Sequence, residues 1–185
     1  IDGITAEMLK NGGQQIHCFL IKLFNTIFDK GIYPQAWSKA IIIPIFKKGD
    51  PENVDNYRGV SLLSVLSKCF TSILNTRLYS WLEDNQLISE SQAGFRKKHS
   101  TVDQIFTLHA IVEKCMSKKG RKLYVAFIDF RKAFDSVRHD LLVECIKNQG
   151  VRGKFLASLS AMYESLLSCV RANCELSEFF NVLLV

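Results

Sequence analysis

Residues 123–135 read LYVAFIDFRKAFD, and they carry the clearest pattern in the sequence. Its first half, Leu123 to Ile128, is a short apolar run with β-branched and aromatic residues, the pattern of a buried strand. The run ends abruptly at Asp129. A carboxylate at the end of a buried strand is costly unless it has a role there. Asp129 is therefore predicted to bind a metal ion, to act as a base, or to cap the segment 130–135.

Helices are predicted on both sides of this strand, because apolar residues recur there at i, i+3 and i+4. Thr101 and Gln104 resemble a capping box that opens the third of these helices. Gly31, with Pro34 soon after it, is expected to end the first. The helices are predicted at about 14–29, about 64–84, from Thr101 onward, near 138–149 and near 153–166.

Further strands flank these helices. Residues 40–46 form a β-branched run in which Pro44 indicates an edge strand or a bulge. A charged turn follows at 47–51, and residues 57–63 are predicted to return as the second strand of a hairpin. Near the end of the sequence, 167–172 and 179–184 are predicted to pair. Helices first and an interrupted sheet later indicate an α/β (α+β) domain.

Charge and composition restrict the function further. Lys and Arg number 24 against 18 Asp and Glu, which gives a net charge of +6. A basic domain suits a nucleic-acid or phosphate partner, and a merely solubilising surface has equal weight on this evidence alone. No apolar run reaches the roughly 20 residues that span a bilayer, which argues against a membrane protein. The six irregularly spaced cysteines are expected to be free thiols in a reducing, intracellular compartment.

Four segments, in order, resemble one protein family. Residues 126–137, AFIDFRKAFDSV, resemble the first palm motif of reverse transcriptases, especially those of non-LTR (LINE-type) retrotransposons. Residues 2–10 resemble the upstream segment of that family, residues 43–63 its fingers hairpin, and residues 92–105 its second fingers motif. Group II intron reverse transcriptases are the nearest competing relatives. Four matches in the right order are far more specific than any one of them.

The resemblance implies a fold and an activity. It implies the fingers (residues 1–121) and part of the palm (residues 122–185) of a right-hand polymerase that is incomplete at its C-terminus. The complete enzyme would be an RNA-directed DNA polymerase in the nucleus or cytoplasm. It would use an RNA template, a DNA primer, dNTPs and Mg²⁺, with Mn²⁺ as an alternative.

The resemblance also implies roles for individual residues. Asp129 corresponds to the catalytic aspartate that binds the metal ions, and Phe134 to the aromatic gate under the sugar. Arg58 corresponds to a fingers arginine that grips the triphosphate, and Lys47 or Lys48 to the neighbouring lysine. Contacts to the nucleotide are implied for Phe130 and Ala133, and contacts to the template for Gln92, Gly94, Phe95 and Arg96.

The residues themselves also allow ordinary structural roles. Phe134 is a core side chain in the simplest interpretation. Lys47 and Lys48 fit a solvated hairpin tip, and Arg58 fits a surface ion pair with Asp50 or Asp55 worth less than about 1 kcal/mol.

This sequence by itself is not expected to polymerise nucleotides. Two-metal catalysis needs several carboxylates, and no Asp follows Asp140 in the sequence. The chain is therefore expected to be a truncated reading frame or a fragment. The alternatives are a non-catalytic nucleic-acid-binding remnant and a decayed element without function.

Overall fold

The computed structural model describes residues 2–182, and the chain divides into two compact units. The first unit comprises the residues up to Leu78 together with those from Phe134 onward, and the second comprises Tyr79–Ala133. The predicted boundary between fingers and palm at 121 and 122 stays a prediction.

The helices are α1 (Ala6–Asn11), α2 (Gly13–Lys30), α3 (Val65–Asp84), α4 (Thr101–Met116), α5 (His139–Asn148) and α6 (Gly153–Tyr163). The strands are β1 (Lys39–Phe46), β2 (Tyr57–Leu62), β3 (Leu167–Ala172), β4 (Glu175–Leu176) and β5 (Phe180–Asn181).

The sheet lies in the first unit and is built around β1. Strand β2 pairs antiparallel with β1 from Ile41↔Leu62 to Phe46↔Tyr57, which confirms the predicted hairpin. On its other side β1 pairs parallel with β3, but only over Lys39–Ile42. Pro44 lies beyond that stretch, where β2 is the only strand within residues 2–182 that pairs with β1, as expected for a residue that cannot donate to a ladder.

The C-terminal strands also pair as predicted. Strand β5 runs antiparallel to β3 with the register Ser168↔Phe180, and β4 folds back on the end of β3. The remainder of the predicted last strand, residues 183 and 184, lies outside the described residues. The mixed helix-and-sheet class predicted from the sequence is confirmed.

The core of the first unit forms where helices α2, α3 and α6 meet. Its buried members are Ile27, Trp37, Phe70, Leu74 and Leu159. The ring of Phe70 lies 5.6 Å from that of Phe24 and 5.9 Å from that of Trp37, centroid to centroid, in tilted arrangements. Aromatic residues bury large areas, so this cluster dominates the stability of the unit.

Helix α2 ends at Gly31, as the sequence predicts. Gly31 has a left-handed φ of 62°, and its backbone N–H donates to the carbonyls of Ile27 and Phe28. A Cβ at this position would lie 3.1 Å from that of Ala157 on α6, whereas Gly153, at a φ of 64°, has open space around it.

Gly31→Ala is therefore expected to destabilise the chain more than Gly153→Ala does. Each substitution forces a side chain into the left-handed region, at about 1–2 kcal/mol. Only the first also crowds a neighbouring helix. Urea unfolding of both variants, followed by circular dichroism, checks this. Equal losses would show that Ala157 moves away without cost.

The start of helix α4 differs from the prediction, and the start of helix α3 makes a contact that was not predicted. The capping box of α4 is formed by Ser100 and Asp103, not by Thr101 and Gln104. The reason is that helical geometry begins at Thr101, which makes the preceding serine the N-cap. Before α3, Ser64 donates a hydrogen bond of 2.5 Å to the carboxylate of Asp2, which ties the start of the chain to that helix.

The predicted buried strand at residues 123–128 is wrong for this structure. These residues form no strand, and both Phe127 (83% exposed) and Ile128 (82% exposed) face solvent. A strand needs a neighbour that satisfies its backbone groups. Within residues 2–182, the strands that form pair with one another and leave none for this segment.

The apolar stripe of α4 is exposed as well. Val102, Ile105 and Phe106 all face solvent, and no residue in Tyr79–Ala133 is buried. Among residues 2–182, no helix combines the length and the apolar character needed to cross a membrane.

Candidate functional site

The β1–β2 hairpin presents two of the predicted cations on one face. Ile45 and Arg58 are cross-strand partners, so their side chains lie on the same face. The backbone N–H of Lys47 donates to the carbonyl of Asn56 at 2.8 Å, which continues the ladder past Phe46. Because side chains alternate along a strand, Lys47 shares the face of Ile45 and Arg58, and Lys48 does not.

The turn beyond these cations is held by its own hydrogen bonds. The Asn56 side-chain amide donates to the carbonyl of Asp50 at 2.9 Å, and one Asp50 carboxylate oxygen accepts the N–H of Glu52 at 3.0 Å. The Tyr57 hydroxyl donates to the carbonyl of Pro51 at 2.8 Å. The side chains of Lys47, Lys48 and Arg58 are all exposed, on a hairpin whose tip is fixed from within.

The predicted catalytic segment is accessible in the second unit. Asp129 is exposed and lies in residues 121–130, which belong to no helix or strand. Residues 131–136 form a turn rather than a helix, with Lys132 in the left-handed region at a φ of 49°. Asp129 therefore does not cap a helix, and Phe130 and Ala133, exposed in the same segment, flank it in the chain.

Phe134 is the residue at which the chain returns from the second unit to the first. Its ring is 73% exposed, so the interpretation of Phe134 as a core residue is wrong. It lines a cavity of about 440 Å³ together with Ser38, Ser61, Ser67 and Tyr163. In the wall of this cavity the hydroxyls of Tyr33 and Ser67 lie 2.7 Å apart, and burial raises the pKa of both Tyr33 and Tyr163.

Hydrogen bonds among Tyr79, Glu83 and Arg96, together called the clamp, tie the predicted template loop to the last turns of α3. The Nε and Nη2 atoms of Arg96 each donate to one oxygen of the Glu83 carboxylate at 2.8 Å, and Nη1 donates to the carbonyl of Ser89. The Tyr79 hydroxyl donates to Glu83 at 2.7 Å and accepts the backbone N–H of Lys97 at 3.0 Å. Gln92 and Gly94 are linked by a hydrogen bond inside the loop.

Comparison with known proteins places these residues in a family. The family model described as reverse transcriptase (RNA-dependent DNA polymerase) matches residues 45–183, which include every residue predicted for the site. The chain belongs to the reverse transcriptase family. This agrees with the resemblance found in the four sequence segments, and it favours a fragment of a reverse transcriptase over the remnant or decayed element.

Curated relatives place the chain among retrotransposon proteins. It is 37% identical over 142 residues to the RNA-directed DNA polymerase from mobile element jockey of Drosophila melanogaster, covering 75% of this chain and 15% of that protein. It is 34% identical over 184 residues to the probable RNA-directed DNA polymerase from transposon X-element of the same species, covering 98% and 20%. It is 33% identical over 150 residues to the probable RNA-directed DNA polymerase from transposon BS, also of Drosophila melanogaster. That match covers 80% of this chain and 16% of the transposon protein. The chain thus spans at most a fifth of the length of these relatives.

The reverse transcriptase family generally uses divalent metal ions. Asp129 suits such an ion because an exposed carboxylate supplies the hard oxygen that Mg²⁺ prefers. Among residues 2–182, no three His, Cys, Asp or Glu side chains cluster in a way that would hold a metal. The role of Asp129 as a metal ligand therefore stays a prediction.

Sequence reasoning missed the partners of Arg96 in this reverse transcriptase chain. Tyr79 and Glu83 stand at i and i+4 on α3, a spacing that signals contact between them. Nothing local signals that Arg96, thirteen residues after Glu83, closes the clamp.

The hydrogen bonds of the clamp determine how the stability of this region changes at low pH. The hydrogen bonds from Arg96, and next those from Tyr79, lower the pKa of Glu83 from 4.5 to about 2. A lowered folded-state pKa gives stability that is present above the unfolded value and is lost as pH falls toward the folded one. The destabilisation by Glu83→Gln should therefore be full above about pH 4.5. It should fade as pH falls toward 2.

Urea unfolding of Glu83→Gln and the parent chain across this pH range measures the effect. Glu113→Gln is the matched control, because Glu113 is an exposed acid whose ion pair with His109 is long at 3.8 Å. A Glu83→Gln effect that does not change with pH would contradict a charged clamp.

Proposed function

We propose that the protein containing this chain is an RNA-directed DNA polymerase of a non-LTR retrotransposon, which copies an RNA template from a DNA primer with dNTPs. The observation that carries the proposal is the family match over residues 45–183. Residues 1–121 would form the fingers and residues 122–185 the first part of the palm. The six free thiols support a reducing compartment, the nucleus or the cytoplasm.

In this proposal Asp129 is the catalytic carboxylate that holds a divalent ion, Mg²⁺ or in its place Mn²⁺. Such an ion, when bound, stabilises the negative charge that develops on the transferred phosphoryl group. The exposure of this carboxylate supports the role. Phe130 and Ala133 would place backbone beside the nucleotide.

Phe134 would form the floor under the sugar of the incoming dNTP. Phe134 is 73% exposed and lines the cavity of about 440 Å³ in the first unit, which supports this role. A bulky ring in this position would exclude a 2′-hydroxyl by steric contact.

Lys47 and Arg58 would bind the triphosphate. Their shared face on the hairpin supports Lys47 over Lys48 as the lysine of the pair. The planar Arg58 guanidinium suits two phosphate oxygens at once, whereas Lys47 supplies a point charge.

The loop carrying Gln92, Gly94, Phe95 and Arg96 would lie against the template. Phe95 is 91% exposed, and an exposed aromatic ring is a stacking surface for an unpaired base.

Primer extension tests the proposed activity. The protein encoded by the whole reading frame is supplied with an annealed DNA primer on an RNA template, dNTPs and Mg²⁺. The expected result is template-dependent extension that stops when the metal is chelated. Absence of extension on RNA, with a protein that is folded and binds the primer–template, would contradict the proposal.

A further inference from the structure

The loop Ser89–His99 combines an unusual backbone with a fixed support. Phe95 and Lys98 adopt left-handed φ values of 61° and 65°, which bulky side chains rarely do. Such a conformation persists only where surrounding contacts determine it. Those contacts come from Arg96, the residue between Phe95 and Lys97.

Arg96 is already occupied by the protein itself. Its guanidinium makes two parallel hydrogen bonds of 2.8 Å to Glu83 and a third, of 3.2 Å, to the carbonyl of Ser89. Its side chain is only 16% exposed. A guanidinium held in this way has little left to offer a phosphate. The guanidinium of Arg96 does, however, tie both ends of the loop Ser89–His99 to helix α3.

The same clamp orders the residue that follows. The backbone N–H of Lys97 donates to the Tyr79 hydroxyl, which itself donates to Glu83, and the Lys97 ammonium lies 5.2 Å from the centre of the Tyr79 ring. Phe95, on the other side of Arg96, is 91% exposed.

We infer that Arg96 is a positioning residue: with Glu83 and Tyr79 it holds the loop so that Phe95 presents its ring to an unpaired base of a single-stranded nucleic acid. This inference rests on the proposed function, since it assigns the way in which that function's template loop works. Glu83 and Tyr79 are then positioning residues as well, acting on a loop that they do not belong to.

The binding test uses the 185-residue chain and a fluorescently labelled single-stranded RNA, with affinity measured by anisotropy. A positioning role predicts that Glu83→Gln and Arg96→Lys both weaken binding by about tenfold, the order of one lost base-stacking contact. Arg96→Lys keeps the charge and loses the two-pronged geometry. Glu113→Gln, the same charge change on α4, should bind no more weakly than the parent chain.

Direct phosphate contact by Arg96 predicts the opposite result. Glu83→Gln would then release the guanidinium and remove a negative charge, so binding would tighten. Arg96→Lys would keep most of the affinity. Either outcome overturns the inference.

A second measurement does not depend on RNA. Hydrogen exchange of the Lys97 amide, followed by NMR, should be faster in Glu83→Gln, in Arg96→Lys and in Tyr79→Phe, and unchanged in Glu113→Gln. Unchanged exchange in Glu83→Gln overturns the inference whatever the affinities are. A parent chain that binds no RNA at low salt contradicts the proposed function, and the amide exchange alone then decides whether Arg96 holds the loop.

Discussion

Asp129→Asn is expected to lower RNA-templated DNA synthesis by about three orders of magnitude in the protein encoded by the whole reading frame. Metal ions contribute several kcal/mol of charge stabilisation to phosphoryl transfer, and every 1.36 kcal/mol is a factor of ten in rate. The amide keeps the size of the carboxylate and removes its charge. Because Asp129 is exposed and forms no part of the core, the variant should fold like the parent. Primer extension under single-turnover conditions measures the change.

Asp84→Asn is the matched control for this experiment. Asp84 is also an exposed carboxylate, at the end of helix α3, and the substitution changes the charge by the same amount. It should leave synthesis within about twofold of the parent rate, because surface charges act weakly at a distance in salt. Equal losses in the two variants would mean that net charge, and not a ligand at position 129, was being measured.

The second large effect concerns stability. Phe70→Ala is expected to destabilise the first unit by about 3–5 kcal/mol, the usual cost of removing a buried phenyl ring. Phe70 is 2% exposed and contacts the rings of Phe24, Tyr33 and Trp37. A loss of this size is a large part of the stability of an ordinary domain. Urea unfolding, followed by far-ultraviolet circular dichroism, measures it.

Ile73→Ala on the same helix is the control for Phe70→Ala. Ile73 is 42% exposed, so the substitution shortens a large apolar side chain on α3 without opening a cavity. Its cost should stay below about 1 kcal/mol, as for most surface substitutions. If Phe70→Ala cost no more than Ile73→Ala, the aromatic cluster would not be the core of the unit.

The helices could be predicted from the sequence because the signals that form them are local. Apolar periodicity located α2 and α3, and Gly31 located the end of α2. The hairpin was predictable for the same reason, since residues 47–51 carry turn chemistry directly after a β-branched run. The parallel pairing of β1 with β3 was not, because it joins residues more than a hundred positions apart.

The segment 123–128 shows the limit of such reasoning. Its composition favours a strand, but a strand is a property of at least two segments, and composition does not say where the second one is. The exposed apolar side chains of this segment and of α4 show that a correct local signal does not guarantee burial.

The candidate site, like the fold, could be predicted only in part from the sequence. Motifs identified the residue types and their order, including Asp129, Phe134, Lys47 and Arg58. Alternation along the hairpin favours Lys47 over Lys48, and the choice between them stays a prediction. The engagement of Arg96 by Glu83 depends on how a loop folds back on a helix, and only the structure reveals it.

Metal specificity at position 129 tests the central claim most directly. Asp129→Cys replaces the hard carboxylate by a soft thiolate, which binds Mg²⁺ poorly and softer divalent ions well. Primer extension by this variant, in the protein encoded by the whole reading frame, should be lost in Mg²⁺ and partly restored by Mn²⁺ or Cd²⁺. Asp84→Cys should keep its activity in Mg²⁺. Full activity of Asp129→Cys in Mg²⁺ would contradict the assignment of Asp129 as the metal ligand of the reaction.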